Sequence, residues 1–242
     1  MITAASNSRI KRLVQLNQKS KLRRTEDVFL AEGVKMFLEA PREQLQEVYV
    51  SESFLEKCSC REHLEEVGYE VVSDSVFSKI SDTCTPQGVL CVLKQFHYNI
   101  EEMLRDKAPL FLLLENIQDP GNLGTMLRTG EGAGVSGIIM SRDTVDLYNP
   151  KVIRSTMGSI YRVPFYYADD FAAAVHQGQQ AGVSVYAAHL RGKNSYACQD
   201  YTKGTAFLIG NEGNGLREET AELADCYIRI PMEGKVESLN AA

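Results

Sequence analysis

The residues best placed to do chemistry lie in three loops. LIGNEGNGLREE (208–219) follows an apolar strand pattern and precedes a helical one, with Gly210, Gly213 and Gly215 around Glu212. Glycines let backbone N–H and C=O groups face a ligand without side-chain obstruction. The carboxyl ends of parallel strands are where open α/β sheets bind ligands. The spacing is G-x-x-G-x-G, neither the dinucleotide fingerprint nor a P-loop. Glu212 is either a solvated loop acid or, being already ionised, a candidate proton acceptor. ENIQDPGNLGTMLRTGEGAG (115–134) carries Asn122 and Arg128. Asn122 is expected to cap a helix from Leu123 onward. On that helix Leu123, Met126 and Leu127 share a face, and Arg128 points away from it. Gly124, Gly130, Gly132 and Gly134 each cost about 1 kcal/mol against alanine in a helix, so close approach to the backbone is expected there. In IPMEGKVESLNAA (230–242), Pro231 stops a strand and Ser238 is placed to cap a new helix.

Alternating strand and helix patterns position these loops. VFLAE (28–32), EVYVS (47–51), YEVVS (69–73) and GVLCVLK (88–94) read as strands. Helical patterns cover Asn7 to about Ser20, 34–40, 54–68 and 74–81, so residues 1–95 form a small α/β unit. Residues 96–108 read as a linker or connecting helix. A second run holds LFLLLE (110–115), VSGIIM (135–140), VPFYY (163–167), VSVYAAH (183–189), TAFLIG (205–210) and YIRIPM (227–232). Apolar strands alternating with helices imply a parallel sheet covered on both faces.

The 242 residues are 44% hydrophobic and 24% charged, ordinary for a globular protein with a sizeable core. No stretch approaches the roughly 20 apolar residues of a membrane span, and the N-terminus lacks a signal-peptide apolar region. Six cysteines are too few for a disulfide scaffold, so reduced thiols and a cytoplasmic location are expected. The net charge of −6 is unevenly spread. Residues 1–24 hold seven basic side chains and no acid; the rest holds 19 basic and 32 acidic ones. That basic arm is either a solvated helix or a footprint for nucleic-acid phosphates, through Arg9, Lys11, Arg12, Lys21, Arg23 and Arg24.

Taken in order, the three loops resemble the three motifs of the SpoU (TrmH-type) RNA ribose methyltransferases of the SPOUT superfamily. Asn122 with Arg128 matches the first motif, Gly210-x-Glu212-Gly213-x-Gly215 the second, and Ile230-Pro231-Met232 with Ser238-Leu239-Asn240 the third. The N-terminal unit resembles the ribosomal-protein-like substrate-binding domain that these enzymes often carry, through SNSRIKRL, FLAEG and SDTCTPQG. The resemblance implies an α/β fold: a small N-terminal α/β domain (1–95), a linker (96–108), and a C-terminal parallel-sheet SPOUT domain (109–242) with a trefoil knot. It implies methyl transfer from S-adenosylmethionine to a ribose 2′-hydroxyl, with ribosomal RNA the first substrate class and transfer RNA the second, by a homodimer. Cofactor contacts then fall to Gly210, Ile230, Met232, Leu239 and Asn240. Catalytic or substrate-facing roles fall to Asn122, Arg128, Glu212, Ser238 and Asn240. Arg128 would be the proton acceptor or a clamp on phosphate and ribose oxygens. Family members continue past Ser238-Leu239-Asn240 into an apolar helix; this sequence stops at Ala242, so that helix is expected to be missing from it.

Two other classes remain open: a non-catalytic RNA-binding module, and a nucleotide-dependent enzyme using Gly210–Gly215 for phosphate. No metal is expected. Cys58-x-Cys60-x-x-His63 sits in a helical pattern without a fourth ligand. Cys84, Cys91, Cys198 and Cys226 read as buried small hydrophobes.

Overall fold

The computed structural model describes residues 1–235 and 239–242. Two compact units share the chain: Met1–Phe96 with Asp146–Tyr161, and His97–Val145 with Arg162–Ala242.

In the first unit, Asn7 accepts the Arg9 N–H and opens helix α1 (Ser8–Gln18), which buries Ile10, Leu13 and Leu16. Helix α2 (Ser20–Glu26) leads into β1 (Val28–Glu32). Then come α3 (Val34–Leu38), β2 (Leu45–Ser51), α4 (Glu52–Lys57), α5 (Arg61–Val67), β3 (Glu70–Val72), α6 (Asp74–Ile80) and β4 (Val89–Lys94). The sheet order is β1-β4-β2-β3. β4 is antiparallel to both its neighbours, and β2 is parallel to β3. The apolar face of α1 meets Val76, Phe77 and Ile80 of α6 and Leu30, Leu90 and Val92 of the sheet in one core. The single helix expected over 54–68 is two helices, interrupted at Cys58–Cys60, where Cys58 takes an extended backbone.

Residues 146–161, expected with the C-terminal run, pack in this first unit. The Tyr161 hydroxyl donates to Met36 O at 3.0 Å, and Tyr148 packs against Phe29 with ring centroids 4.9 Å apart and the rings tilted by 33°. Arg23 is anchored in the same region. It is 2% exposed, donates to Leu16 O and Asn17 O, and pairs with Asp146 at 2.5 Å. This corrects its expected role as a phosphate contact: a guanidinium spent on buried carbonyls and a carboxylate is not available to RNA.

The second unit opens with α7 (Ile100–Met103), inside the expected linker, whose Ile100 and Met103 are part of the core. The rest is β5 (Leu110–Leu114), α8 (Pro120–Ala133), β6 (Gly137–Ser141), β7 (Phe165–Ala168), α10 (Phe171–Gln180), β8 (Ser184–Ala188), β9 (Asn194–Ser195), β10 (Thr205–Ile209), α11 (Glu218–Ala221) and β11 (Cys226–Arg229). Helix α9 (Pro150–Thr156) belongs to the first unit. Seven strands pair in the order β7-β6-β5-β10-β8-β11-β9, parallel at every pairing. Phe111, Leu113, Ile139, Val185, Ala187, Ala206 and Leu208 make one buried face, covered by α7 and α10. The chain runs outward from β5 through β6 and β7, then returns to place β10 on the other side of β5. The order therefore reverses between β5 and β10, the position where open α/β sheets form a crevice. Among the described residues, no helix is long and apolar enough to cross a membrane.

Candidate active site

The loops after β5 and β10 meet at that reversal. Helix α8 begins earlier than expected. Asp119, not Asn122, is its N-cap, accepting the Asn122 N–H at 2.8 Å, and Pro120 takes the first helical position. Proline suits that position because its missing N–H would be unpaired there anyway. Asn122 thus lies in the first turn, with its side chain free to reach sideways. It donates through Nδ2 to Glu212 Oε1 at 3.2 Å. Glu212 also accepts the Asp119 N–H at 3.0 Å and the Gln118 N–H at 3.1 Å. Partial burial pushes the Glu212 pKa up, but hydrogen bonds from its own N–H, Gln118, Asp119 and the Asn122 amide outweigh that and hold it below the usual carboxylate range. Glu212 is therefore a weak base and a strong anchor.

The glycine loop is folded on itself. Asn211 and Gly215 exchange both backbone hydrogen bonds, and Asn211 Oδ1 accepts the N–H groups of Gly213 and Asn214. A Cβ on Gly210 would lie 2.3 Å from Gly215 C and Leu216 N. The missing side chain at Gly210 thus makes room for its own loop. Gly215 has φ +69, a conformation that favours glycine. The α8 glycines have separate reasons. A Cβ on Gly130 would press on Val135 at 3.1 Å, while Gly134 ends the helix at φ 73.

Arg128 is exposed, on the side of α8 away from buried Leu123, Met126 and Leu127. It has no hydrogen bond or ion pair among the described residues and does not join the Glu212–Asn122 cluster. In the third loop, β11 stops at Arg229, so Ile230 lies beyond the strand. Ile230 and Leu239 are 53% and 58% exposed, unusual for large apolar side chains. Met232 is half-buried and Asn240 exposed. Ser238 lies outside the described residues.

Three of the seven cations of the basic arm are neutralised within its own unit. Arg9 pairs with Glu70 at 3.2 Å, and Arg12 with Glu26 and Glu47, both at 2.7 Å. Lys11, Lys21 and Arg24 are exposed, as is Lys19. Cys84 and Cys198 are exposed and Cys226 is half-buried, so of the four cysteines read as buried only Cys91 is so. Sequence reasoning also passed over Glu115, Asp143 and Arg217, which hold the loops together. Glu115 had one visible signal, an acid ending an otherwise apolar strand run.

A parallel sheet with a glycine loop and a locked carboxylate at its reversal point defines a ligand-binding α/β domain. The chain belongs to the SpoU rRNA methylase family, whose description matches residues 109–242. An MRM3-like substrate binding domain matches residues 7–91. A 23S rRNA (guanosine(2553)-2′-O)-methyltransferase of Bacillus subtilis, RlmP, is 32% identical over all of this chain and 94% of its own length. The AdoMet-bound rRNA methyltransferase of Sinorhizobium meliloti superposes with a TM-score of 0.84 at 30% identity, over 99% of this chain and 92% of that one. The SpoU methyltransferase AviRb of Streptomyces viridochromogenes, in complex with AdoMet, does so at 0.87 and 25% identity, over 97% and 92%.

Proposed function

We propose that this chain transfers a methyl group from S-adenosylmethionine to a ribose 2′-hydroxyl of RNA. Ribosomal RNA, the 23S molecule first, is the substrate class, on the strength of the relatives' substrates; transfer RNA is second. The observation that carries the reading is the Glu212 carboxylate locked to Gln118, Asp119 and Asn122 where the strand order reverses. S-adenosylmethionine supplies a methyl group already activated on a sulfonium. What the chain must add is alignment of the hydroxyl and an exit for its proton as the O–C bond forms and the S–C bond breaks.

Gly210, Ile230, Met232, Leu239 and Asn240 would hold the cofactor, with Ile230 and Leu239 against its apolar ring. Glu212 fixes the loop and the Asn122 amide. Arg128 clamps the RNA phosphate and ribose oxygen, and the clamped phosphate takes the hydroxyl proton and passes it to solvent. Neutralising a guanidinium at pH 7 costs roughly 8 kcal/mol from its ordinary pKa, so the clamp is the less demanding role. Ser238 and Asn240 complete the substrate-facing set. Residues 1–95 serve as the RNA-binding domain and 109–242 as the methyltransferase domain. We further propose a trefoil knot in the latter, a homodimer that completes the site, and a cytoplasmic location.

The test is transfer of labelled methyl from S-adenosylmethionine to total bacterial RNA, followed by mapping of the modified ribose. Label at a single 2′-oxygen of 23S rRNA is expected. Label on a base, or none in RNA while the cofactor binds, overturns the reading.

A further inference from the structure

One buried carboxylate has no part in the proposed reaction. Glu115 follows β5 and is 2% exposed. Its N–H donates to Ile209 O at 2.9 Å, so it lies beside the end of β10. Its side chain accepts the Thr220 hydroxyl at 2.5 Å and the Arg217 N–H at 2.9 Å, and Arg217 Nη1 lies 3.5 Å from it. The other arm of the Arg217 guanidinium pairs with Asp143, beyond β6. Asp143 accepts the Ser141 hydroxyl at 2.6 Å, and Ser141 Oγ accepts the Asn116 N–H at 2.8 Å. Asn116 O accepts Asn211 Nδ2 at 2.8 Å, which returns to the glycine loop.

These bonds close a ring through the loops after β5, β6 and β10. Glu212 hangs between the two points where that ring grips its loop: Asn211 on one side, Arg217 on the other. A buried carboxylate is a poor way to gain stability, since well-packed apolar groups do as well or better. What it gives here is a fixed geometry. Catalytic groups must be held within about 0.5 Å by supporting hydrogen bonds.

We propose that Glu115, acting through Arg217, is a positioning residue that fixes the far end of the 210–217 loop, so that Glu212 meets Gln118, Asp119 and Asn122 in one geometry. The consequence for turnover rests on the methyl-transfer reading; the consequence for the loop does not.

The test uses the full chain with Arg217→Ala, Arg217→Lys and Glu115→Gln. Arg217 is half exposed, so its variants are expected to fold even if Glu115→Gln does not. Amide hydrogen exchange at Gln118 and Asp119 is expected to rise about tenfold or more in Arg217→Ala as the loop opens locally, with exchange in β1 unchanged. On RNA, kcat should fall roughly 10- to 100-fold, as displacements near 1 Å do, with KM within about twofold. Arg217→Lys should lie between, because an ammonium reaches one carboxylate but does not span two. In a Glu212→Ala background, Arg217→Ala should leave exchange at Gln118 and Asp119 where Glu212→Ala alone puts it. Unchanged exchange in Arg217→Ala, faster exchange with unchanged kcat, or independent effects in the double variant overturn the inference. If the wild-type chain methylates no RNA, yet Arg217→Ala still frees the two amides, the methyl-transfer reading falls and the loop-fixing role stands.

Discussion

Arg128 and Glu212 divide the labour of the site by how much each is already committed. Arg128 is exposed and unspent among the described residues, so its charge is available to a phosphate. Arg128→Ala should change stability by less than about 0.5 kcal/mol, since no core contact is lost. Methyl transfer should nevertheless fall sharply, with cofactor affinity by calorimetry unchanged. Arg128→Lys keeps the charge, loses the planar fork, and lowers the reference pKa to about 10.4. A clamp predicts no rescue by lysine; rescue with a shifted pH–rate profile would make Arg128 the proton acceptor instead. Glu212 is the opposite case, with its oxygens occupied by donors from Gln118, Asp119, Asn122 and Asn211. Its folded pKa lies below the ordinary value, so its stabilising contribution is full above the unfolded pKa and is lost as pH falls through the folded one. The stability difference between wild type and Glu212→Gln should therefore be greatest above about pH 5 and shrink below about pH 4, around the reference value near 4.3. Urea midpoints measured across that range decide it, and a difference independent of pH would show that the charge of Glu212 does not matter to the loop.

At the scale of elements, the glycine loop depends on one backbone clearance. Gly210→Ala places a methyl group 2.3 Å from Gly215 C and Leu216 N, neither of which is a side chain able to turn aside. Overpacking of this kind typically costs about 1–3 kcal/mol, and the loop carrying Glu212 must shift. Gly213→Ala is the matched control, its Cβ meeting Asn211 Oδ1 at an ordinary 3.6 Å. Cofactor affinity should collapse in the first and survive in the second; equal behaviour would remove Gly210 from the site. The strands of both units were legible because apolar runs such as 28–32, 110–114 and 205–209 end at sharp turn signals. Helix ends were less so. Asn122 is a good capping type, but Asp119-Pro120 captured the role three residues earlier. The break at Cys58–Cys60 has no proline or glycine to announce it. The long-range ring from Glu115 to Asn211 joins residues almost a hundred positions apart, and no local pattern specifies such pairs. The close approach expected of the glycines holds at Gly210 and Gly130, where the chain itself approaches, and not at Gly132 or Gly134, where a Cβ would meet nothing within 4 Å.

For the whole molecule, charge asymmetry along the sequence overstates the positive field in space. Seven basic residues crowd the first 24 positions, yet Arg9, Arg12 and Arg23 are matched by acids from later in the same unit. Only folding brings Glu47, Glu70 and Asp146 to them, so this pairing could not be read from local composition. The cations of the arm with no acidic partner among the described residues are Lys11, Lys19, Lys21 and Arg24, all exposed. Arg23 and Arg24 then become a test pair of adjacent arginines with opposite duties. Arg23→Ala removes a buried guanidinium with three acceptor contacts, Nη1 to Leu16 O and Asn17 O and Nη2 to the Asp146 carboxylate. Breaking a buried pair from one side costs about 3–5 kcal/mol, with the lower end expected because Asp146 keeps some solvent contact. Its effect should appear in thermal or urea unfolding and not in the salt dependence of RNA binding. Arg24→Ala should do the reverse: stability within about 0.5 kcal/mol of wild type, and a log-affinity against log-salt slope smaller in magnitude by up to about 0.7 on single-stranded RNA. Filter binding across a salt series, with melting curves on the same samples, separates the two. A reduced slope in Arg23→Ala without loss of stability would return Arg23 to the RNA-binding set and place the phosphate path over α2.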